Sequence, residues 1–351
     1  MSEKVVVGLS GGVDSSVAAY LLKKQGYDVI GVTMYMWQPE GETTEPASVE
    51  DARKVAKALE IPFYVCDFKE TFEEKVMNYF VEEYLHGRTP NPCTTCNRFV
   101  KWEALLERAK ELGADYIATG HYARIFKLPN GRYTIKTSAT AAKDQTYALY
   151  NLTQEQLAHT LMPVGEYTKE EIRKIAMEAN LPVAQKKDSM EICFIPDNDY
   201  ASFIEKKAGD RVPGPGNFVT MDGSIIGSHK GITHYTVGQR KGLNLAMGYP
   251  VFVTKICPKT GEVVIGSNED VFSATLICDR VNYMGMESLD TPRKVTAKIR
   301  YAHKGERCLL EKIDGGRIQC TFEHPVRAIT PGQAVVFYEQ DYVLGGGTII
   351  E

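Results

Sequence analysis

At 351 residues the chain is too long for one typical domain, so two or three are expected, each able to bury a core. A formal charge of −4 excludes a general affinity for polyanions, and any nucleic-acid surface has to be a local basic patch. No basic-then-apolar leader opens the sequence and no uncharged apolar run is long enough to cross a bilayer, which gives the expectation of a cytoplasmic protein with no membrane partner.

In chain order, residues 5–9 are a β-branched run, residues 15–25 carry Val17, Tyr20, Leu21 and Leu22 at helical spacing, and residues 29–34 are a second apolar run. This strand-turn-helix-strand unit builds parallel sheets. Gly26 ends the helix. Next, Ser48 is expected to cap a helix with Ala52, Val55, Ala56 and Leu59 on one face, and residues 62–68 to form a buried strand. A helix over 70–85 ends at Gly87, and residues 89–96 form a loop stiffened by Pro90 and Pro92. Residues 97–112 are helical and closed by Gly113, residues 115–121 are a strand entering a glycine turn, and residues 124–136 fold back around Asn130-Gly131 as a hairpin. A capped helix spans 168–180, and 185–196 is a loop with a short apolar run. Beyond about residue 200 short alternating runs separated by glycine and proline predict β structure, with boundaries near 200 and 274.

The first turn reads Ser10-Gly11-Gly12-Val13-Asp14-Ser15-Ser16. Glycines between a strand and a helix N-terminus let backbone N–H groups approach an anion, which makes a phosphate site. No GxxxxGKS follows the strand and the GxGxxG spacing is missing, so neither a Walker loop nor a dinucleotide fingerprint is present. The stretch resembles the PP-loop of the ATP pyrophosphatase superfamily. That resemblance implies ATP, with Ser10, Gly11, Gly12, Ser15 and Ser16 around the pyrophosphate and Asp14 helping to place Mg2+.

Eight cysteines in a reducing compartment are core, metal ligand or reactive thiol rather than a disulfide framework. Cys66, Cys257, Cys278, Cys308 and Cys320 lie in strand-like apolar runs and read as core. Cys93 and Cys96 stand in a polar loop entering a helix expected near Asn97. A helix N-terminus with Arg98 and Lys101 nearby would lower a thiol from its ordinary value of about 8.5, making Cys96 the better placed nucleophile. A closed zinc site would need a second CxxC or a close histidine pair, and a thioredoxin pair would follow a strand. Cys193 is the remaining candidate partner.

The motifs GLSGGVDSS, GRTPNPCTTCNRFVKW, ATGHYAR, KDQTYAL, KKDSMEICFIP, THYTVGQRKGL and PGQAVVFY occur in this order, and together resemble the tRNA-specific 2-thiouridylases over nearly the whole chain. The resemblance implies an α/β PP-loop domain with a parallel sheet over 1–200, a small, mostly β central domain over 201–273 and a C-terminal β-barrel contacting tRNA over 274–351. It implies ATP-dependent 2-thiolation of a wobble uridine in the anticodon loop of tRNA. ATP would lie on Gly8, Leu9, Ser10, Gly11, Gly12, Val13, Asp14, Ser15 and Ser16, with Met34 and Gly120 near adenine and ribose. The target base would meet Asn91, Pro92 and Cys93. tRNA would be gripped by His121, Lys143, Asp144, Gln145, Arg300, Tyr301 and Gln333.

In the family, sulfur comes from a donor protein or sulfide. A thiol matching Cys193 carries a persulfide and one matching Cys96 attacks it. Many members have aspartate, with an acid-base role, where this chain has Cys93. Three cysteines, Cys93, Cys96 and Cys193, also resemble the ligand set of tRNA thiolases with a 4Fe-4S cluster. The persulfide and cluster routes both stay open at this point. Residues 293–307 hold six Lys or Arg against one Glu, interleaved with Tyr301 and His303, a local basic strand suited to RNA phosphates. A single-stranded loop base can be flipped out, whereas a stacked duplex base hides C2. The alternatives are another PP-loop ligase that adenylates a small molecule, which needs no cysteines, and a non-enzymatic iron-sulfur RNA-binding protein.

Overall fold

The computed structural model describes residues 2–39, 41–42, 44–187 and 192–351. Part of the KKDSMEICFIP motif, residues 188–191, lies outside them. Near the N-terminus, β1 (Lys4–Gly8), β2 (Asp28–Tyr35) and β3 (Phe63–Asp67) join β4 (Tyr116–Ala118) and β7 (Thr160–Leu161) in one sheet of order β3-β2-β1-β4-β7, every pairing parallel. Val5, Val6 and Val7 are fully buried because helices cover both faces of the sheet. Val5 and Val7 pack with helices α1 (Val13–Lys24) and α2 (Ala47–Ala58), while Val6 faces Trp102, Leu105 and Leu106.

Three local expectations are corrected. No side chain caps α2, whose preceding residue is Pro46 rather than Ser48. The third strand is a sheet edge with Tyr64 and Val65 exposed, not a buried strand. A helix already starts at Pro92 (Pro92–Cys96) and runs on into the wider-turned Asn97–Ala104, where a loop was expected up to residue 96. Asn91 caps it, its Oδ1 accepting from the Cys93 N–H at 3.1 Å, and proline is suited to a first position whose N–H has no helical partner.

The hairpin of β5 (Ala123–Lys127) and β6 (Tyr133–Thr137) forms as expected, but it leaves its own sheet. The central unit pairs β8 (Gly216–Thr220), β9 (Ile225–His229), β10 (Phe252–Cys257) and β11 (Glu262–Gly266) around its own core, with Phe218, Val253 and Val263 inside. In the C-terminal unit β12 (Phe272–Tyr283), β13 (Arg293–Lys298), β14 (Glu306–Lys312), β15 (Ile318–Arg327), β16 (Ala334–Glu339) and β17 (Tyr342–Ile349) make an antiparallel sheet closed by β12 pairing with β17. The hairpin continues this sheet by joining β6 to β17. Met284, Val336, Tyr338 and Val343 therefore share one hydrophobic core with Trp102, Leu105 and Ile135 of the first unit. Barrel and α/β unit are fused, and the segment carrying Cys93 lies where they meet.

Candidate functional site

The glycine turn leaves β1 at Gly8 and enters α1. Gly11 has φ +67, and a Cβ there would stand 2.2 Å from the Ser48 carbonyl oxygen, so both conformation and space demand glycine. A Cβ on Gly8 would come within 3.1 Å of the Met34 methyl, and one on Gly120 within 2.5 Å of the Ser15 nitrogen. Gly8, Met34 and Gly120 are thus gathered round the head of α1. Inside the turn Ser15 Oγ accepts from the Ser10 N–H at 3.1 Å and lies 3.1 Å from Ser10 Oγ, while Ser16 Oγ donates to the Gly12 carbonyl at 2.7 Å.

Asp14 is engaged by residues that sequence reasoning missed. Its carboxylate accepts from Lys169 Nζ at 2.7 and 2.9 Å and from the Tyr122 hydroxyl at 2.8 Å. Lys169 is buried, placed by the capping box of Thr168 and Glu171 that starts helix Lys169–Glu178. Lys186 Nζ donates to the Gly11 carbonyl at 3.0 Å and to Asp51 Oδ2 at 2.7 Å, fastening Lys186 to the turn. The TKEE run announces the cap, but no sequence signal says that its lysine faces Asp14.

Cys93 is exposed, and Cys96, at the end of the one-turn helix, is buried. The Cys96 thiol lies 3.9 Å from the Met36 thioether among Phe72, Phe80 and Phe194. Burial pushes it up to about 12, with Lys101 acting in the opposite direction, so the expectation of a low-titrating nucleophile is overturned. The cause is burial: with the helix starting at Pro92 and running on through Ala104, Cys96 lies within it against the aromatic cluster rather than at its N-terminus. Cys193 has solvent access, yet surrounding protein raises its thiol too, again opposed by Lys101. The fields of Cys93 and Cys193 reach Cys96, so the three thiols and Lys101 form one neighbourhood. Arg98 is drawn away to Gln156 Oε1 at 2.6 Å. Among the described residues no three His, Cys, Asp or Glu side chains are placed to hold a metal ion, and Cys96 is closed in by Met36, Phe72, Phe80 and Phe194, so as arranged its thiol does not fit a cluster shared with Cys93 and Cys193.

The residues expected to grip RNA divide. His121 packs against Trp102, ring centroids 5.2 Å apart and planes tilted by 51°, with its Nδ1 2.8 Å from Thr119 Oγ1. Burial, then Lys101, holds it well below its ordinary value, so it offers no positive charge to a phosphate. Asp144 accepts from the Ser138 N–H at 3.2 Å and the Thr146 hydroxyl at 2.6 Å, and Gln145 Oε1 from the Tyr122 N–H at 2.8 Å; both shape the wall beside Lys143. Arg300 and Gln333 meet at a cavity of about 250 Å³ also lined by Thr89, Gly238 and Arg327. There Gln333 Nε2 donates to the Thr89 carbonyl at 2.8 Å and Arg300 to the Arg327 carbonyl at 2.7 Å. Tyr301 is half exposed and lies within the field of Cys93. The basic strand is partly neutralised, Arg293 by Glu339 at 2.7 Å and Arg307 by Glu323 at 3.6 Å.

The loop ahead of Asn91 is pinned from three sides. Buried Glu83 takes both Arg88 guanidinium bonds at 2.8 and 2.5 Å, the Thr89 N–H donates to the Pro331 carbonyl at 2.8 Å, and the Thr89 hydroxyl to that of Thr236 at 3.2 Å. All three units therefore fix the helix that carries Cys93.

Comparison with known proteins places this geometry. Residues 3–197 match the tRNA methyl transferase HUP domain model, 201–267 the tRNA methyl transferase PRC-barrel domain and 273–349 the aminomethyltransferase beta-barrel domain. The tRNA-specific 2-thiouridylase MnmA of Lachnoclostridium phytofermentans is 62% identical over 99% of this chain and 100% of its own length. The chain belongs to the tRNA-specific 2-thiouridylase family. Further members from Clostridium perfringens and Clostridium kluyveri are each 54% identical over 99% of this chain, covering 98% and 99% of their own lengths. This 2-thiouridylase fold is the expected one: a parallel α/β unit, a small central unit and a closed barrel. Among the described residues no helix is long and apolar enough to cross a membrane.

Proposed function

We infer that this chain places sulfur on C2 of the wobble uridine of tRNA at the expense of ATP, in the cytoplasm. The observation that carries the reading is the pairing of a glycine turn at the head of α1 with a helix presenting Cys93 and Cys96 beside Cys193, in a chain of this family. The uridine C2 oxygen attacks the α-phosphorus of ATP, pyrophosphate leaves, and C2 now carries AMP as leaving group. Ser10, Gly11, Gly12, Ser15 and Ser16 hold the pyrophosphate, with Gly8, Leu9 and Val13 forming the rest of the turn and Met34 and Gly120 flanking the nucleoside. Mg2+ bound with ATP would offset phosphate charge. Asp14, already bridged to Lys169, serves that end of the site by fixing this lysine.

Sulfur arrives as the outer sulfur of a donor protein's persulfide: the Cys193 thiolate attacks it, the donor's thiolate leaves, and Cys193 carries the persulfide. Cys96 as thiolate attacks the Cys193 sulfur, forming the Cys96–Cys193 disulfide and releasing hydrosulfide. Hydrosulfide adds to C2 and AMP departs; a thiol reductant then restores both cysteines. Lys101 favours both thiolates electrostatically, opposing burial. Asn91, Pro92 and Cys93 border the target base, and Lys143, Arg300 and Tyr301 face the RNA.

The test is pyrophosphate release with nucleoside analysis: release dependent on tRNA, with 2-thiouridine formed, is expected. Release with a small acceptor and no tRNA would mean a different PP-loop ligase, and no release at all a non-catalytic RNA binder. The persulfide route is favoured over a cluster because Cys96 is enclosed by Met36 and an aromatic cluster, which leaves room for thiol exchange with Cys193 but not for a cluster beside it. Cys93→Asp should therefore keep thiolation in air, and stoichiometric iron and sulfide in anaerobically purified protein would overturn that preference.

A further inference from the structure

A cavity near the site lies on the flank of helix Pro92–Cys96 away from the thiols. Residues three and four apart share a helix face, so Cys93 and Cys96 look one way while Thr94, Thr95 and Arg98 look another. On that other flank a cavity of about 550 Å³ opens between the helices and the barrel. This is the size range of small-ligand sites, roughly 300–1,000 Å³. Its lining combines Lys75, Arg98 and Arg280 with the rings of Tyr79 and Phe99; Lys75 pairs with Glu74 at 2.7 Å and Arg280 with Asp279 at 3.2 Å, solvent-reached pairs for which a phosphate can compete, while Arg98 is held by Gln156.

The backbone is distorted to put Arg280 there. Pairing between β12 and β17 slips between Asp279 and Asn282, and Arg280 within that bulge has φ +49, a left-handed conformation uncommon for arginine. Bulges re-aim side chains beside sites, and retained strain points to a use. Here it carries the Arg280 guanidinium over Tyr79, 5.9 Å from the ring centroid, at the cavity's edge. Asn151 also lines the cavity, its Oδ1 buried and without a hydrogen-bond partner among the described residues.

We propose that this cavity is a second nucleotide subsite, which takes an RNA nucleotide adjacent to the target uridine. Its phosphate rests on Arg280 and Lys75 and its base against Tyr79 and Phe99. Guanidinium with aromatic surface is the chemistry by which single-stranded nucleotides are held. A helix with side chains is about 10 Å across, so a strand passing its N-terminus reaches both flanks with successive nucleotides. The proposal rests on the tRNA reading given above.

The test pairs protein and RNA changes. Arg280→Asn keeps a residue that tolerates positive φ, and Lys75→Gln changes the opposite wall. Anticodon stem-loop RNAs carry an abasic nucleotide at each neighbour of the target uridine in turn. Each variant should weaken binding of intact RNA by about tenfold and lower the slope of log affinity against log salt by about one. One abasic RNA should bind wild type more weakly but bind Phe99→Leu, which removes the ring under the base, no worse than intact RNA does. Unchanged slopes in both variants, or losses that simply multiply, would overturn the subsite. So would normal RNA affinity in Arg280→Asn with loss of sulfur uptake from a protein donor alone, which would make the cavity a protein dock. If intact RNA neither binds wild type nor triggers pyrophosphate release, it is the tRNA reading that fails. Melting curves identify a variant that has lost its fold, and Lys75→Gln then decides.

Discussion

Cys93 and Cys96 are three residues apart and chemically opposite, because one faces solvent and the other Met36 and an aromatic cluster. Cys96 therefore stays protonated in this state, and iodoacetamide at neutral pH should label Cys93 well before it, as mass spectrometry of peptides would register. Equal rates would mean that Cys96 leaves its pocket freely. The raised thiol also sets a pH dependence. An acid whose folded value lies above its unfolded one contributes stability that is complete below the unfolded value, about 8.5, and is lost as pH climbs towards about 12. The melting temperature should fall across that window, and Cys96→Ala should flatten the fall. Asp14 carries a second expectation: Asp14→Asn removes the carboxylate charge that accepts two hydrogen bonds from the buried Lys169, so adenylation should vanish and stability drop by about 1–3 kcal/mol. Urea unfolding at an unchanged midpoint would contradict the pairing.

At the scale of elements, the turn between β1 and α1 was the most legible feature, because strand, glycines and helix are adjacent in the chain. Its demands are separable by comparing two glycines. Gly11 and Gly113 have φ of +67 and +68, but a Cβ on Gly11 meets the Ser48 carbonyl whereas one on Gly113 meets nothing within 4 Å. Gly113→Ala should cost about 1 kcal/mol for conformation alone. Gly11→Ala should cost a further 1–3 kcal/mol or so as α2 is displaced, and nucleotide affinity should fall with it. Equal denaturation midpoints would refute the steric part. The start at Pro92 was also written in the sequence, as an Asn cap followed by proline, but the stiffness of a proline pair resembles a loop until the cap is recognised. Edge position was not legible for β3: residues 62–68 read as a buried strand, because strand order depends on contacts between distant residues.

Across the whole molecule, the sequence separates α/β from β territory near residue 200, yet gives no hint that hairpin β5–β6 extends the barrel's sheet. That contact joins residues more than 200 positions apart through a single register pair, Tyr342 with Lys136, and leaves no local pattern. Its energetic weight lies in the shared core and its hydrogen bonds. Arg132 donates to the carbonyls of Met284 at 3.0 Å and Tyr283 at 2.7 Å, and Gln154 Nε2 to that of Met284 at 3.0 Å. The α/β unit and the barrel should accordingly unfold by heat in one transition, with Arg132→Ala lowering stability by about 1–3 kcal/mol through the carbonyls it leaves unmatched. A stronger test is a chain ended at residue 272. It keeps the parallel sheet, the glycine turn and all three site cysteines, but loses Met284, Val336, Tyr338 and Val343 from the core around Trp102. Exposing that face should remove the cooperative melt and give strong binding of a hydrophobic dye, although every residue assigned to ATP is still present. A sharp melt with nucleotide binding intact would show instead that the α/β unit closes its core without the barrel.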